Sequence, residues 1–212
     1  MHVHAAPRHT RIRVRFAAIA QAAGCALLRT LLSAAAGGSS VRGESAAVET
    51  SEAAALDVAL AALEAHGEPS TEPEPLGGPT GASSKNGSFA ESISADACEI
   101  VSLVAARRAR APLIARRPAV VPLVARALSI HGTHSAAVAQ SACWALRGLC
   151  IRRDGGSSTA RAGGEGSAAA ERLATLRQHG GESAINRVLS SRGASLSRPL
   201  KACCQELLHA LG

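Results

Sequence analysis

Four side chains near the middle of the chain are of the types that bind zinc: His131, His134, Cys143 and Cys150. Zinc sites usually combine ligands in short paired spacings such as C-x2-C with H-x3-H. The spacing here is H-x2-H-x8-C-x6-C, and both cysteines fall on the apolar stripe of a predicted helix. The sequence therefore favours packing cysteines over a metal site, and we expect neither a metal nor another cofactor.

Other side chains able to do chemistry also lack the neighbours that such chemistry needs. Cys203 and Cys204 are adjacent, and adjacent side chains on a helix point about 100° apart, which disfavours a redox pair. The serine nucleophile motif G-x-S-x-G is absent from the sequence. The glycine pairs at 155–156 and 163–164 lack the Lys-Ser/Thr of a phosphate-binding loop. We therefore expect a protein that is not an enzyme.

Charge is segregated along the chain. Residues 1–43 hold six Arg and no acid, residues 44–99 hold eleven acids and one Lys, and residues 100–154 hold nine Arg and one acid. Such blocks can steer a charged partner. An arginine-rich surface over 107–153 could also bind RNA phosphates, but recognition of single strands usually adds aromatic platforms, and only Trp144 is present there. RNA binding stays the alternative to binding a protein with an acidic segment.

The N-terminal segment has a composition of its own. Residues 1–15 form a basic tail, and residues 1–40 are Arg-rich and acid-free, as organellar targeting segments are. A secretory signal and an ordinary first helix over 16–35 are the other interpretations. The apolar run 16–28 is too short to span a membrane. The six cysteines are too sparse for a disulfide scaffold, which favours a cytoplasmic or nuclear location, with an organelle as the alternative.

The helix predicted over 135–151 is the element around which the other segments can be arranged. Its apolar residues recur three, four and seven apart, which places them on one stripe. The same template of apolar residues three, six and seven positions after a cysteine is repeated at Cys25, Cys98, Cys143 and Cys204. Four segments thus share one helical pattern, which predicts a repeat architecture.

A second marker precedes three of these helices. Helical patterns over 53–66, 118–131 and 182–192 each end in His or Arg followed by Gly. A cation in the last turn complements the helix dipole, and a glycine just beyond it commonly adopts the left-handed conformation. We therefore expect three helices that end at His66, His131 and Arg192.

Two Gly- and Ser-rich inserts separate the repeats and are predicted to be loops. The predicted division of the chain is a basic tail at 1–15, a degenerate repeat region at 16–67, an insert at 68–90, repeats at 91–153, an insert at 154–167 and a C-terminal repeat at 168–212. Residues 107–117 and 168–178 are predicted to form the short first helices of two repeats.

The segment Ala142 to Leu149, ACWALRGL, resembles the third helix of the armadillo repeat, which typically runs A-x-x-A-L-x-N-L. This resemblance implies an all-α, right-handed solenoid of about three to four three-helix repeats. The asparagines with which the peptide-binding members of the family hold a peptide backbone are missing here. The residues in that slot are Thr30, Leu103, Gly148 and His209.

The sequence as a whole predicts a non-enzymatic scaffold that binds a protein along the ridge of third helices. A degenerate or largely disordered repeat fragment is a further alternative, and the oligomeric state is left open. An aromatic ring beside an arginine is a common energetic centre of an interface. The predicted partner-binding residues are Trp144, Arg147, Gly148, Leu103, His209 and Arg152.

Overall fold

The computed structural model describes residue 24 and residues 45–66, 85–107, 111–151 and 165–212. This part of the chain is all-α and contains no strand. Its helices are α1 (Ser45–His66), α2 (Lys85–Ala105), α3 (Ala111–Ala115), α4 (Val120–His131), α5 (Ala136–Cys150), α6 (Glu165–Gln178), α7 (Gly181–Arg192) and α8 (Arg198–Leu211). None of these helices is both long and apolar enough to cross a membrane.

The helices pack in two rows. Row A consists of α1, α4 and α7, each in contact with the next, and row B consists of α2, α5 and α8 in the same order. Each row A helix also packs against the row B helix that follows it in the chain. The longer connecting helix α6 contacts α4, α5, α7 and α8. The buried side chains form one continuous core between the rows.

Helix α5 lies in the middle of row B, and its sequence explains how it forms. Ser135 is the N-cap residue, and its Oγ accepts a hydrogen bond from the Val138 N–H at 3.4 Å, a favourable cap for a helix start. Its apolar stripe is buried from Val138 to Cys150. Because much of this stripe is Ala and Cys, neighbouring helices can approach closely. Helix α2 covers α5 on one side and α8 covers it on the other.

The repeated cysteines are packing residues of row B. Cys98 on α2, Cys143 on α5 and Cys204 on α8 are each fully buried. The Sγ atoms of Cys143 and Cys204 lie 3.6 Å apart, which is contact between two thiols rather than a disulfide. Cys203 is also buried, and its Sγ donates to the Cys143 carbonyl at 3.4 Å. Burial raises the pKa of the Cys98 thiol to about 12, so it stays protonated and unreactive.

The basic residues at the ends of the row A helices join each helix to the preceding one. The ring nitrogen Nε2 of His131, at the end of α4, lies 3.3 Å from the His66 carbonyl oxygen at the end of α1. Arg192, at the end of α7, donates through Nε to the Thr133 carbonyl at 2.9 Å, just after α4. These carbonyls belong to helix ends and turns that need partners. The His or Arg that precedes glycine in the sequence therefore corresponds to a contact between successive row A helices.

The left-handed conformation predicted for the glycines after these helices is wrong for two of them. Gly132 has φ −62° and Gly193 has φ −50°, both in the right-handed region. A Cβ at Gly132 would lie 2.5 Å from the Leu128 carbonyl oxygen, and one at Gly193 would lie 2.3 Å from that of Leu189. Glycine is needed at these positions for space rather than for backbone conformation.

The edges of both inserts also differ from the prediction. Helix α2 begins at Lys85, inside the insert predicted at 68–90, and α6 begins at Glu165, inside the insert predicted at 154–167. Phe89 explains the first difference, because its ring packs against the core from the early turns of α2. The basic tail at 1–15, most of the predicted first helix at 16–35 and the remaining insert residues lie outside the described residues.

Removal of a large side chain from the centre of α5 tests the packing of row B. Leu146 is fully buried, so Leu146→Ala is expected to lower the free energy of unfolding by about 2–5 kcal/mol. Urea denaturation followed by circular dichroism measures this change. The matched control is Gln140→Ala on the exposed side of α5, which should change stability by less than about 0.5 kcal/mol. Equal effects of the two changes would contradict the assigned packing.

The contact between α1 and α4 predicts a dependence of stability on pH. Burial, and secondly the charge of His131, lowers the pKa of His66 below its ordinary value of 6.5. The unfolded chain therefore binds a proton more readily at this site, and stability is lost as the pH falls below about 6.5. Urea midpoints at about pH 7.5 and pH 5.5 measure the loss, which His66→Gln should reduce. His179→Gln, at an exposed position, is the control, and an identical loss in both variants would contradict the prediction.

Candidate functional site

A cleft of about 340 Å³ opens between the ends of α2 and α5 on one side and α3 and α6 on the other. This volume is at the lower end of the range of about 300–1,000 Å³ found for ligand sites. Most of its surface is apolar. The lining residues are Ser102, Ala105, Ala106, Arg107, Ala111, Ile114, Trp144, Arg147, Gly148, Leu149, Ile151, Ala168, Ala169 and Arg172.

Trp144 and Arg147 form one wall of the cleft. The Trp144 ring is half-buried and packs against the core, and the guanidinium carbon of Arg147 lies 5.6 Å from the ring centroid. This is a cation–π contact, worth about 0.5–1 kcal/mol at exposed sites. The same guanidinium binds Glu206 of α8, with Nε 2.5 Å from Oε2 and Nη2 3.2 Å from Oε1. The hydrogen bonds to Glu206 raise the pKa of Arg147.

Gly148 lies where α5 passes close to the end of α2. A Cβ built at Gly148 would lie 3.2 Å from the Cβ of Ala105, which is a tight contact. A larger side chain in this slot would press α2 away from α5. The glycine that stands where armadillo repeats carry asparagine therefore has a packing explanation in this chain.

In the part of the chain that the structure describes, three guanidinium groups and no carboxylate line the cleft. Arg107 is paired with the buried Glu52 of α1, and Arg147 is paired with Glu206. Arg172 on α6 donates through Nη1 to the Leu149 carbonyl at 3.1 Å, at the end of α5. Among the described residues Arg172 has no acidic partner, so its other N–H groups are available to a ligand.

Two more residues of the predicted site, Leu103 and His209, lie elsewhere on row B. Leu103 on α2 is half-buried and packs against the core, and His209 on α8 is exposed. Neither of them lines the cleft. Arg152 lies outside the described residues. The cleft thus brings together Trp144, Arg147 and Gly148.

The four residues considered as zinc ligands lie in different environments and do not form a site. His131 contacts the end of α1, His134 is exposed, and Cys143 and Cys150 are buried in the core. Burial raises the pKa of Cys150 to about 12. Within the described ranges no three His, Cys, Asp or Glu side chains are grouped as a metal ion would require.

Arg172 and the alanines of α6 are a part of the cleft that was not predicted from the sequence. Ala168, Ala169 and Arg172 are spaced one, three and four apart, so they share a face of α6. The sequence predicts residues 168–178 as the first helix of a repeat, whereas the predicted binding residues were sought on the cysteine-bearing helices. The signal available was an arginine beside two alanines on a helix otherwise rich in polar residues.

Comparisons of the chain with protein-family models, with curated proteins and with solved structures find no match.

The pairing of Arg147 with Glu206 can be measured by a double-mutant cycle. Arg147→Gln, Glu206→Gln and the double variant should give a coupling free energy of about 0.2–1 kcal/mol, as for other partly exposed ion pairs. The coupling should shrink in about 1 M NaCl, because salt screens exposed charges. Urea denaturation at low and high salt provides the measurement. Strict additivity of the two single changes at low salt would contradict the contact.

Substitution of Gly148 by the asparagine of the armadillo pattern should destabilise the protein. Gly148 is exposed and the added Cβ would lie 3.2 Å from the Cβ of Ala105, so Gly148→Asn is expected to cost about 1 kcal/mol in free energy of unfolding, the low end for a crowded contact. Thermal or urea denaturation measures the cost. The control is the same substitution in an Ala105→Gly background, where the added space should reduce the cost. An unchanged cost in that background would show that Ala105 is not the obstructing group.

Proposed function

We propose that the chain is a right-handed α-solenoid built from armadillo-like repeats. The order of contacts supports this proposal, because second helices meet second helices in row A and third helices meet third helices in row B. The units would be α3 to α5 and α6 to α8, preceded by α1 and α2 as the second and third helices of a further unit. Such stacks bury a continuous core and leave an extended ridge available to partners.

Within this architecture the proposed function is non-enzymatic binding of a protein partner along row B. The observation that carries the proposal is the cleft beside Trp144, at the junction of two repeats. A half-buried tryptophan held in place by the core and by a cation loses little freedom on binding, which favours it as an interface anchor. Leu103 and His209 extend the same row on either side and would contact flanking parts of the partner.

A protein partner is preferred to RNA because several arginines of the basic stretch are already paired with acidic side chains of this chain. Arg107, Arg117 and Arg147 of the basic stretch are paired with Glu52, Asp57 and Glu206 respectively. Their charges serve contacts between helices and are partly neutralised there. Trp144 is the aromatic residue of the cleft, and Arg147 lies over its ring, which leaves less of the ring for stacking on a base.

Site-specific photo-crosslinking in cells tests this proposal. A photoreactive phenylalanine analogue is placed at Ala106, an exposed residue that lines the cleft, and at Ser183, an exposed residue of α7 in row A. We expect a defined protein adduct from position 106 and not from position 183. The captured protein, once purified, should bind the wild-type chain at least tenfold more tightly than it binds Trp144→Ala. Adducts to RNA, or the same adducts from both positions, would contradict the proposal.

A further inference from the structure

The residues that line the cleft beside Trp144 indicate which kind of peptide it would bind. We infer that it binds a peptide segment in which a large apolar side chain is adjacent to an Asp or Glu, with the carboxylate bound by Arg172. This inference rests on the proposed function, since it names the chemistry of the partner that would occupy that site.

The apolar part of the ligand follows from the walls of the cleft. Ala105 at the end of α2, Ile114 on α3 and Ala169 on α6 leave a space bounded by small or aliphatic groups. Short side chains create the space, and Ile114 is buried beneath it. A volume of about 340 Å³ is small for a drug-sized ligand. It is suited to one or two side chains of an extended segment and is too small for a whole helix.

The acidic part of the ligand follows from the cations. Of the described residues that line the cleft, three carry a guanidinium group and none carries a carboxylate, and two of the three guanidinium groups already hold an acidic partner from this chain. Arg172 is the third. Its bond to the Leu149 carbonyl holds the guanidinium at the rim, and no acidic side chain of the described residues pairs with its other N–H donors. A fixed guanidinium is suited to a planar carboxylate, which it can bind through two parallel hydrogen bonds.

The paired arginines strengthen this preference without competing for the ligand. Arg107 is held by a buried carboxylate and Arg147 by Glu206, so neither needs to move when a ligand enters. A basic peptide would place like charge beside Arg172 and gain no acidic partner from the lining, which penalises it. The lining therefore selects against basic segments as well as for acidic ones.

The experiment uses the purified full chain and a phage-displayed library of random dodecapeptides. We expect enriched peptides to carry a large apolar residue next to Asp or Glu. A synthetic peptide from this set, and its Asn or Gln analogue, are then titrated by fluorescence polarisation. Arg172→Gln should weaken binding of the acidic peptide about tenfold or more, as for loss of a hydrogen-bonded charge. The amide analogue should bind the wild type and Arg172→Gln equally.

Two further variants locate the site. Ala169→Phe fills the cleft and should abolish binding of the peptide, with its unfolding midpoint measured to confirm that it is folded. Arg187→Gln makes the same change of charge on an exposed residue of α7 and should leave binding unchanged. If Ala169→Phe is unfolded, the comparison of Arg172→Gln with Arg187→Gln decides the location alone.

The outcomes separate the inference from the proposed function. Enriched peptides that lack an acidic residue, bind independently of Arg172 and are lost in Ala169→Phe would overturn the acidic chemistry and leave protein binding intact. Failure to enrich any peptide that depends on the cleft would overturn both. Displacement of the peptide by oligouridylate that itself binds through Arg172 would assign the site to nucleic acid and also overturn both.

Discussion

The structure depends on the burial of the broad apolar stripe of α5. This stripe must be covered by helices on both sides of α5. Its buried stripe runs from Val138 to Cys150 and is contacted by α2 before it and α8 after it. The small side chains Ala and Cys at these positions set how near the helices come. Two examples of this close approach are the contact of the Cys143 and Cys204 sulfurs and the position of Gly148 beside Ala105.

Once row B is stacked in this way, row A and the cleft follow from it. Each row A helix precedes its row B partner in the chain and packs on it, so stacking one row stacks the other. His131 and Arg192 then reach the carbonyls at the end of the preceding helix. Helix α3 has only five residues and covers little of the ends of α2 and α5. The space that it leaves beside α6 is the cleft.

The sequence predicted the helical class, the ends of the row A helices and the burial of Cys98, Cys143 and Cys204, because each depends on spacing along a single helix. It did not predict the bond between Arg147 and Glu206, since those residues lie on different helices and 59 positions apart in the sequence. The structure also explains part of the segregation of charge between residues 44–99 and 100–154, because ion pairs connect the two stretches. Glu52 with Arg107, and Asp57 with Arg117, join the acidic stretch to the basic one, so part of the segregated charge holds neighbouring helices together.

Native-state hydrogen exchange tests the central position of α5 most directly, because it reports the free energy of opening of each helix. The account predicts that the amides of α5 exchange only through global unfolding and are the slowest in the described part of the chain. Amides of α1 and α8, each of which packs against fewer of the described helices than α5 does, should exchange through smaller openings. Exchange in α5 as fast as in α1 or α8 would contradict the claim that the rest of the fold is built around this helix.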